Sequence, residues 1–283
     1  MKKLIKSAFA DEYSADLSEQ ISALKKHGIE NLELRSVGGK FNPDISISEA
    51  KEIKKVLDGE GITVSALGSP LGKVVITENM NDYNEKSEHI FDVADIMGTK
   101  LVRCFSFYSP NGDSFSGLKN LVFDEFGELV KRADRRGITL CHENEAKIYG
   151  ESPEKCFELL EYFGGKMKCV FDMGNFVLDG FTPYPDAYDL LKKHIEYFHI
   201  KDALSVGAIV PPGKGEAKIK EILKSYSETA DKNAFITLEP HLQTFSGLNA
   251  LVGKKFDNPY KYENQKVAFD DAAEELNELL KIL

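Results

Sequence analysis

Acids and one imidazole recur at the ends of short apolar runs in the second half of this 283-residue chain. TLCHE closes on Glu143, KCVFD on Asp172 and FITLE on Glu239, while YFHIK carries His199. A carboxylate that ends an apolar run lies where a core meets a cleft, and it needs a partner there. Three such carboxylates brought together at low dielectric repel one another strongly unless a cation sits among them. With an imidazole as a fourth donor, a hard or borderline divalent ion such as Mn²⁺, Mg²⁺, Co²⁺ or Zn²⁺ suits the set. One divalent metal ion held by Glu143, Asp172, His199 and Glu239 is the chemistry these residues point to together. Singly, each has a plainer reading: an acid after a strand often caps a helix, and a histidine beside Phe198 often packs in a core.

Convergence requires strands lying side by side. Candidate strands run over Leu4–Ala8, Asn31–Arg35, Thr63–Leu67, Leu101–Phe105, Thr139–Glu143, Lys168–Asp172, Tyr197–Lys201 and Ala234–Glu239. Helical patterns separate them: in LSEQISALKKHG, Leu17, Ile21 and Leu24 share one face and Gly28 is the stop signal. Similar patterns fall at Asn84–Met97, Leu118–Arg136, Ser152–Phe163, Tyr184–His194, Ile219–Ser225 and Gln265–Leu283. Eight strand-then-helix units, spaced by roughly 30–40 residues, predict one (β/α)₈ TIM barrel rather than an open sheet. No interdomain linker interrupts it, so residues 1–283 read as a single domain. Active sites of such barrels lie at the C-terminal ends of the strands, which is where the four residues fall.

Further residues near those ends could bind an anion. Arg35 and Arg103 lie at or near the ends of the second and fourth strands and read either as a clamp or as ion-pair partners of neighbouring acids. Lys201 and Lys214 flank the group, and Gly213 and Gly215 in PPGKGE either let backbone amides approach a phosphate or carboxylate or belong to an ordinary loop with solvated lysines. His142 alternates away from Glu143, whereas His241, just past Glu239, is open to substrate contact or to packing. The longest irregular stretch, His241–Glu263, contains Phe245, Phe256, Tyr260 and Tyr262 and reads as a lid over the cleft or a subunit contact, which leaves a homo-oligomer open.

As an ordered set, IENLELRSVGGKFN, CHENE, FDMGN, YFHIKDA, PPGKGE and TLEPHL resemble the xylose isomerase-like TIM barrels, also called sugar phosphate isomerases/epimerases. The resemblance spans nearly the whole chain and implies the metal ligands Glu143, Asp172, His199 and Glu239. It also implies proton transfer beside a bound sugar or sugar derivative, through an enediolate stabilised by the metal. Glu143 and Glu239 become the acid–base pair on opposite sides of that substrate, with Lys201, Arg35, Arg103 and His241 around it. Three departures stand out. Asn175 occupies the place of a substrate-touching histidine of family epimerases, and an amide can bind a hydroxyl but cannot exchange a proton near neutral pH. Glu145 replaces another histidine common in the family, and the arginine that some epimerases carry after strand seven has no counterpart.

Composition narrows the alternatives. A net charge of −10 disfavours nucleic acid as a partner. A metal-dependent endonuclease would also need more histidines than His142, His199 and His241 provide. An inosose-type dehydratase would use the same metal and base, and a non-catalytic carbohydrate-binding barrel is the reading outside enzymes. Lys6 and Asp11 break the N-terminal apolar run before a signal segment can form, and no run approaches the roughly 18 apolar residues of a membrane span. A cytoplasmic location follows as the expectation. Cys104, Cys141 and Cys169 sit in apolar runs and Cys156 pairs in no CxxC motif, so buried reduced thiols are expected.

Overall fold

Eight parallel strands close into a barrel in a computed structural model that describes residues 4–76, 80–110, 112, 115–242 and 258–283. They are β1 (Leu4–Ala8), β2 (Asn31–Leu34), β3 (Thr63–Leu71), β4 (Leu101–Cys104), β5 (Thr139–Glu143), β6 (Met167–Asp172), β7 (Ile195–Ile200) and β8 (Ala234–Leu238). Each pairs with its sequence neighbour, and β8 pairs with β1 from Leu4–Ala234 to Ala8–Leu238. The (β/α)₈ barrel expected from the alternation of strands and helices is therefore present.

The helices begin where capping side chains occur. Asp16 accepts from the Glu19 N–H at 3.0 Å to start Leu17–Lys26, and Ser46 with Glu49 forms a reciprocal capping box before Ile47–Gly59. Amphipathic faces of Lys119–Arg135, Pro153–Tyr162, Ile219–Thr229 and Gln265–Lys281 cover the barrel, burying Phe126, Leu159, Ile222 and Phe269 among others. Strands buried on both faces explain why the barrel runs read as continuous apolar segments. All four cysteines are buried and free. No helix among the described residues is long and apolar enough to cross a membrane.

Several boundaries differ from those read in the sequence. Arg35, Phe105, Lys201 and Glu239 each lie one residue past their strand, and all but Phe105 line the cavity described below. The segment read as a helix over Tyr184–His194 holds only a wide turn at Pro183–Ala187 and one helical turn at Tyr188–Leu191; Pro183 and Pro185 remove the N–H donors a longer helix would need. Of the stretch read as a lid or subunit contact, residues 243–257 lie outside the described residues. Its ends, His241, Leu242 and Glu263, line the cavity described below.

Register brings the strand ends level with one another. Glu143 pairs beside Val170, Asp172 beside His199, and His199 beside Thr237. Among the described residues three irregularities break the ladder: between Leu32 and Glu33 against β3, between Leu67 and Leu71 against β4, and between Cys169 and Val170 against β7. Such bulges re-aim the side chains next to them.

Candidate metal centre

Glu143, Asp172, His199 and Glu239 project from four successive strand ends so that one donor atom from each lies within 4.8 Å of the others. All four are buried, Asp172 and His199 completely. His199 Nδ1 is 2.9 Å from Glu143 Oε1 and 3.2 Å from Glu239 Oε2. Lys201 Nζ lies between Asp172 Oδ2 at 2.9 Å and Glu239 Oε2 at 3.2 Å. Yet the buried Oε2 of Glu239 accepts no well-aligned hydrogen bond, although two nitrogens lie 3.2 Å away. Three carboxylates and an imidazole converging on one point, with a lone pair left over, fit a divalent cation of the hard or borderline kind.

Every member is held by its local chain. Asp172 divides its oxygens: Oδ1 accepts the Asn175 N–H at 2.8 Å, capping the helix Met173–Leu178, and Oδ2 faces Lys201. Asn144 pins the end of β6 by donating to the Asp172 carbonyl at 2.9 Å while its Oδ1 accepts the Asp172 N–H at 3.0 Å. A Cβ on Gly174 would stand 2.7 Å from Lys201 Cγ and 2.8 Å from its carbonyl oxygen, so the absence of a side chain there lets Lys201 pass into the site.

Charge and burial compete throughout the group. Burial would raise the Glu143 carboxyl, but His199 and Arg103 overcome it and hold it down to about 2. Glu239 is likewise held well below the ordinary range, against burial, by Lys201 and His199. Asp172 goes the other way, to about 7: burial dominates, and Glu143 and Glu239 add repulsion that Lys201 offsets only in part. Burial disfavours a charged His199, yet Glu143, Glu33 and Glu239 raise it well above an ordinary imidazole.

The arginines prove to be ion-pair partners rather than free clamps. Arg103 donates to Glu143 Oε2 at 3.1 Å and to the carbonyls of Ser69 and Gly68 at 3.3 and 3.2 Å. Arg35 donates to Asp11 at 2.8 Å and to Glu12 and Glu239, each at 3.3 Å. Both guanidiniums pack on Phe9, 4.5 and 5.1 Å from its centroid. Glu12, Glu239 and His241 form a second group of potential donors, but Arg35 already meets its two acids. His241 adopts φ +46°, its N–H donates to Glu12 at 2.8 Å, and burial together with nearby Lys201 keeps its imidazole neutral.

A cavity of about 690 Å³ opens over the group, lined by Glu143, Glu239, Lys201, Arg35, Arg103 and His241 on its polar side. Phe41, Pro70, Leu242 and Phe269 form apolar parts of its wall. Asn175 is not among the lining residues. Its amide donates to the Asn144 carbonyl at 2.9 Å and accepts from Lys201 at 3.1 Å, so it braces the site from behind. His142 also faces away, bonded to Ser106 Oγ at 2.9 Å.

Two expectations for the PPGKGE turn are corrected. Lys214 points outward to Glu275 at 2.9 Å. The amides of Gly213 and Gly215 donate to Asp202 Oδ2 at 2.8 and 2.9 Å, while Ala203 and Ala217 donate to Oδ1 at 2.9 and 3.0 Å. The anion this nest holds is the chain's own carboxylate, which leaves it closed to an external phosphate.

Sequence reasoning passed over Asp11, Glu12, Asn144, Tyr197 and Glu33. Asp11 and Glu12 follow β1, and reading the rim after that strand as after the others would have found them. Glu33, fully buried between Leu32 and Leu34, accepts from Tyr197 Oη at 2.9 Å and lies 3.1 Å from His199 Nε2.

The chain belongs to the xylose isomerase-like TIM barrel family, whose model matches residues 21–244. No curated protein resembles it closely enough in sequence to count as a match. Among solved structures, it is similar to D-psicose 3-epimerase from Clostridium cellulolyticum, at 15% identity and TM-score 0.71 over 100% of this chain and 99% of that one. It is also similar to 3-keto-D-glucoside 4-epimerase from E. coli, at 14% identity and TM-score 0.69 over 99% and 100%. A xylose isomerase-like TIM barrel protein from Mycobacterium smegmatis in complex with magnesium matches at 16% identity and TM-score 0.70 over 99% and 97%. At such identities these likenesses establish the fold.

Proposed function

We propose that residues 1–283 form one catalytic barrel, a divalent-metal-dependent isomerase or epimerase of a sugar or sugar derivative that removes and returns a proton beside a carbonyl. The observation that carries this reading is the convergence of Glu143, Asp172, His199 and Glu239 within 4.8 Å beneath a cavity of about 690 Å³. Both epimerases and the magnesium-bound protein lend it support, as proteins of the same fold with those activities or that ion.

A divalent cation on the four residues would supply Lewis acidity, acidifying the C–H beside a substrate carbonyl and offsetting the charge of the enediolate. The chain's own residues do the rest. Glu143 and Glu239 both reach the cavity, and the cations around them keep both in the proton-accepting form. Carboxylates held that low are weak bases, so they suit a substrate proton that has first been acidified. Arg103 Nη1, 3.1 Å from Glu143 and 3.7 Å from Glu239, fixes the two relative to each other. Lys201 can donate to a developing oxyanion from the cavity wall without leaving Asp172.

The test is exchange of α-protons with D₂O, followed by ¹H NMR over a panel of ketoses and inososes. Protein stripped with chelator and reloaded with Mn²⁺ or Mg²⁺ is expected to exchange at least one member, and stripped protein none. Fully loaded protein that exchanges nothing across the panel would leave a carbohydrate-binding barrel in place of an enzyme. Dehydration starts with the same proton removal and is recognised by loss of water from the inosose.

A further inference from the structure

We infer that Glu33 is the positioning residue for His199: it accepts the Nε2–H of the imidazole and so turns the Nδ1 lone pair toward Glu143, Asp172 and Glu239. The inference rests on the reading of those four residues as a metal site, and concerns a residue outside them.

An imidazole can offer a metal one nitrogen at a time, and the hydrogen bond at the other nitrogen decides which. In His199 the division is unambiguous in space. Nδ1 faces the carboxylates, 2.9 Å from Glu143 Oε1 and 3.2 Å from Glu239 Oε2. Nε2 points the opposite way, into the barrel interior, where Glu33 Oε2 stands 3.1 Å from it. Phe9 meets the ring edge-on at 5.1 Å, and Tyr197 lies against it at 5.6 Å, so the ring has little room to turn over.

Glu33 is itself fixed. It is completely buried, and its second oxygen accepts the Tyr197 hydroxyl at 2.9 Å. The ladder irregularity between Leu32 and Glu33 against Val64 and Ala66 falls at this residue, where a bulge re-aims a side chain. A charge in the middle of a barrel needs a reason, because an apolar residue of similar size usually fills such a space at no loss of stability. A neutral acceptor would orient the ring equally well. A carboxylate also makes the opposite nitrogen a stronger donor, which is what a metal ligand gains from it.

The test compares metal-stripped wild type with Glu33→Gln, whose amide oxygen can still accept the N–H, and Glu33→Met, which cannot accept it. Zn²⁺ affinity is measured by titration against a competing chelator, and the imidazole form by long-range ¹H–¹⁵N NMR of histidine-labelled, Zn²⁺-loaded protein. Wild type should show His199 protonated at Nε2 and coordinated through Nδ1. Affinity should fall about 10–100-fold in Glu33→Met and by less in Glu33→Gln, with the Nε2–H resonance displaced in both. Tyr197→Phe should leave that tautomer unchanged. If Glu33→Met does not fold, the isosteric Glu33→Gln decides through its resonance shift and affinity. Variants that match wild type in affinity and spectrum, or a wild type coordinated through Nε2, would overturn the inference alone. A wild type that binds no divalent ion would overturn the metal-site reading and this inference together.

Discussion

Replacing Arg103 with methionine keeps most of the aliphatic stem against Phe9 and Phe105 but deletes the guanidinium, whose centre lies 5.1 and 5.0 Å from those rings. Three acceptors lose a donor: Glu143 Oε2 at 3.1 Å, the Ser69 carbonyl at 3.3 Å and the Gly68 carbonyl at 3.2 Å. Both partners of the ion pair are buried, with side-chain exposures of 8% and 2%, so solvent screens it little. Removing one member of such a pair costs about 3–5 kcal/mol, because the other charge stays behind uncompensated. The completely buried Ser69 adds a carbonyl left without its donor, whereas Glu143 keeps His199 at 2.9 Å, which reduces the loss. The loss of Arg103→Met in chelator is therefore expected within that range. The wild-type arrangement has a second consequence. A divalent cation on Glu143 would supply the compensation that the arginine had given, so the variant should recover much of its loss when metal is added. At a hundredfold excess over Kd, binding contributes about 2.7 kcal/mol to any protein that holds the ion only when folded. The variant should gain more than wild type, since its Glu143 is no longer shared with a guanidinium. Urea unfolding of both proteins in EDTA and in saturating Mn²⁺ measures the four stabilities, and Arg103→Met/Glu143→Gln serves as the control in which no unpaired charge is left. A deficit below about 1 kcal/mol in EDTA, or one that is the same with and without Mn²⁺, would refute the charge argument.

Other substitutions probe the acid–base pair, the closed nest and a buried histidine. Glu239→Gln should lower α-proton exchange by at least about 100-fold at matched metal occupancy; exchange within a few-fold of wild type would remove Glu239 from the proton-transfer pair. A Cβ on Gly215 would stand 2.2 Å from Asp202 Oδ1 and 2.6 Å from the Ala203 carbonyl, so Gly215→Ala should cost about 2–4 kcal/mol in urea unfolding, and an unchanged midpoint would contradict the close approach. Burial pushes the His142 imidazole down to about 4, below its unfolded value of about 6.5. The unfolded chain therefore binds the extra proton first, and stability present above pH 6.5 should fall as pH drops toward 4, by up to about 3 kcal/mol. In His142→Gln this part of the acid sensitivity should vanish; an identical pH profile would show that His142 does not carry it.

The reach of the sequence had a physical limit that particular residues make clear. Parallel strands must end at one rim, so an acid closing KCVFD and another closing FITLE are neighbours once the alternation of strands and helices is recognised. That inference needs no knowledge of side-chain packing. The partners of those acids depend on lateral register and on turns, which a run of letters encodes only weakly. Glu33 left a usable signal, an acid bracketed by leucines in a strand buried on both faces, but its contact with His199 depends on the ladder irregularity beside it. Arg35 and Arg103 could be placed near the rim but not assigned between clamp and ion pair, since the answer lies in acids on other strands. The PPGKGE turn was misjudged for the same reason. Its amides do gather round an anion, but that anion is Asp202, brought up by the hairpin that pairs Asp202–Leu204 with Ala208–Val210.

The charges at the strand ends also bear on what kind of ion the site would take. Six carboxylates meet there, those of Asp11, Glu12, Glu33, Glu143, Asp172 and Glu239, against the side chains of Arg35, Arg103, Lys201 and His199. The shortage of positive charge has a visible effect. Glu12 and Asp172 are both pushed up to about 7, by burial first and then by neighbouring acids, so these carboxyls hold protons where exposed ones would not. Proton uptake is the way a buried cluster with more acids than cations relieves its repulsion. The two arginines are already committed: both rest on Phe9, Arg35 is tied to Asp11 and Arg103 to Glu143. At the centre the His199 Nδ1 proton stands between Glu143 Oε1 and Glu239 Oε2, at 2.9 and 3.2 Å. A monovalent ion replacing that proton would leave the deficit unchanged, whereas a divalent ion reduces it by one and weakens the push on Asp172. The same electrostatics that raises these carboxyls therefore favours a doubly charged ion over a singly charged one.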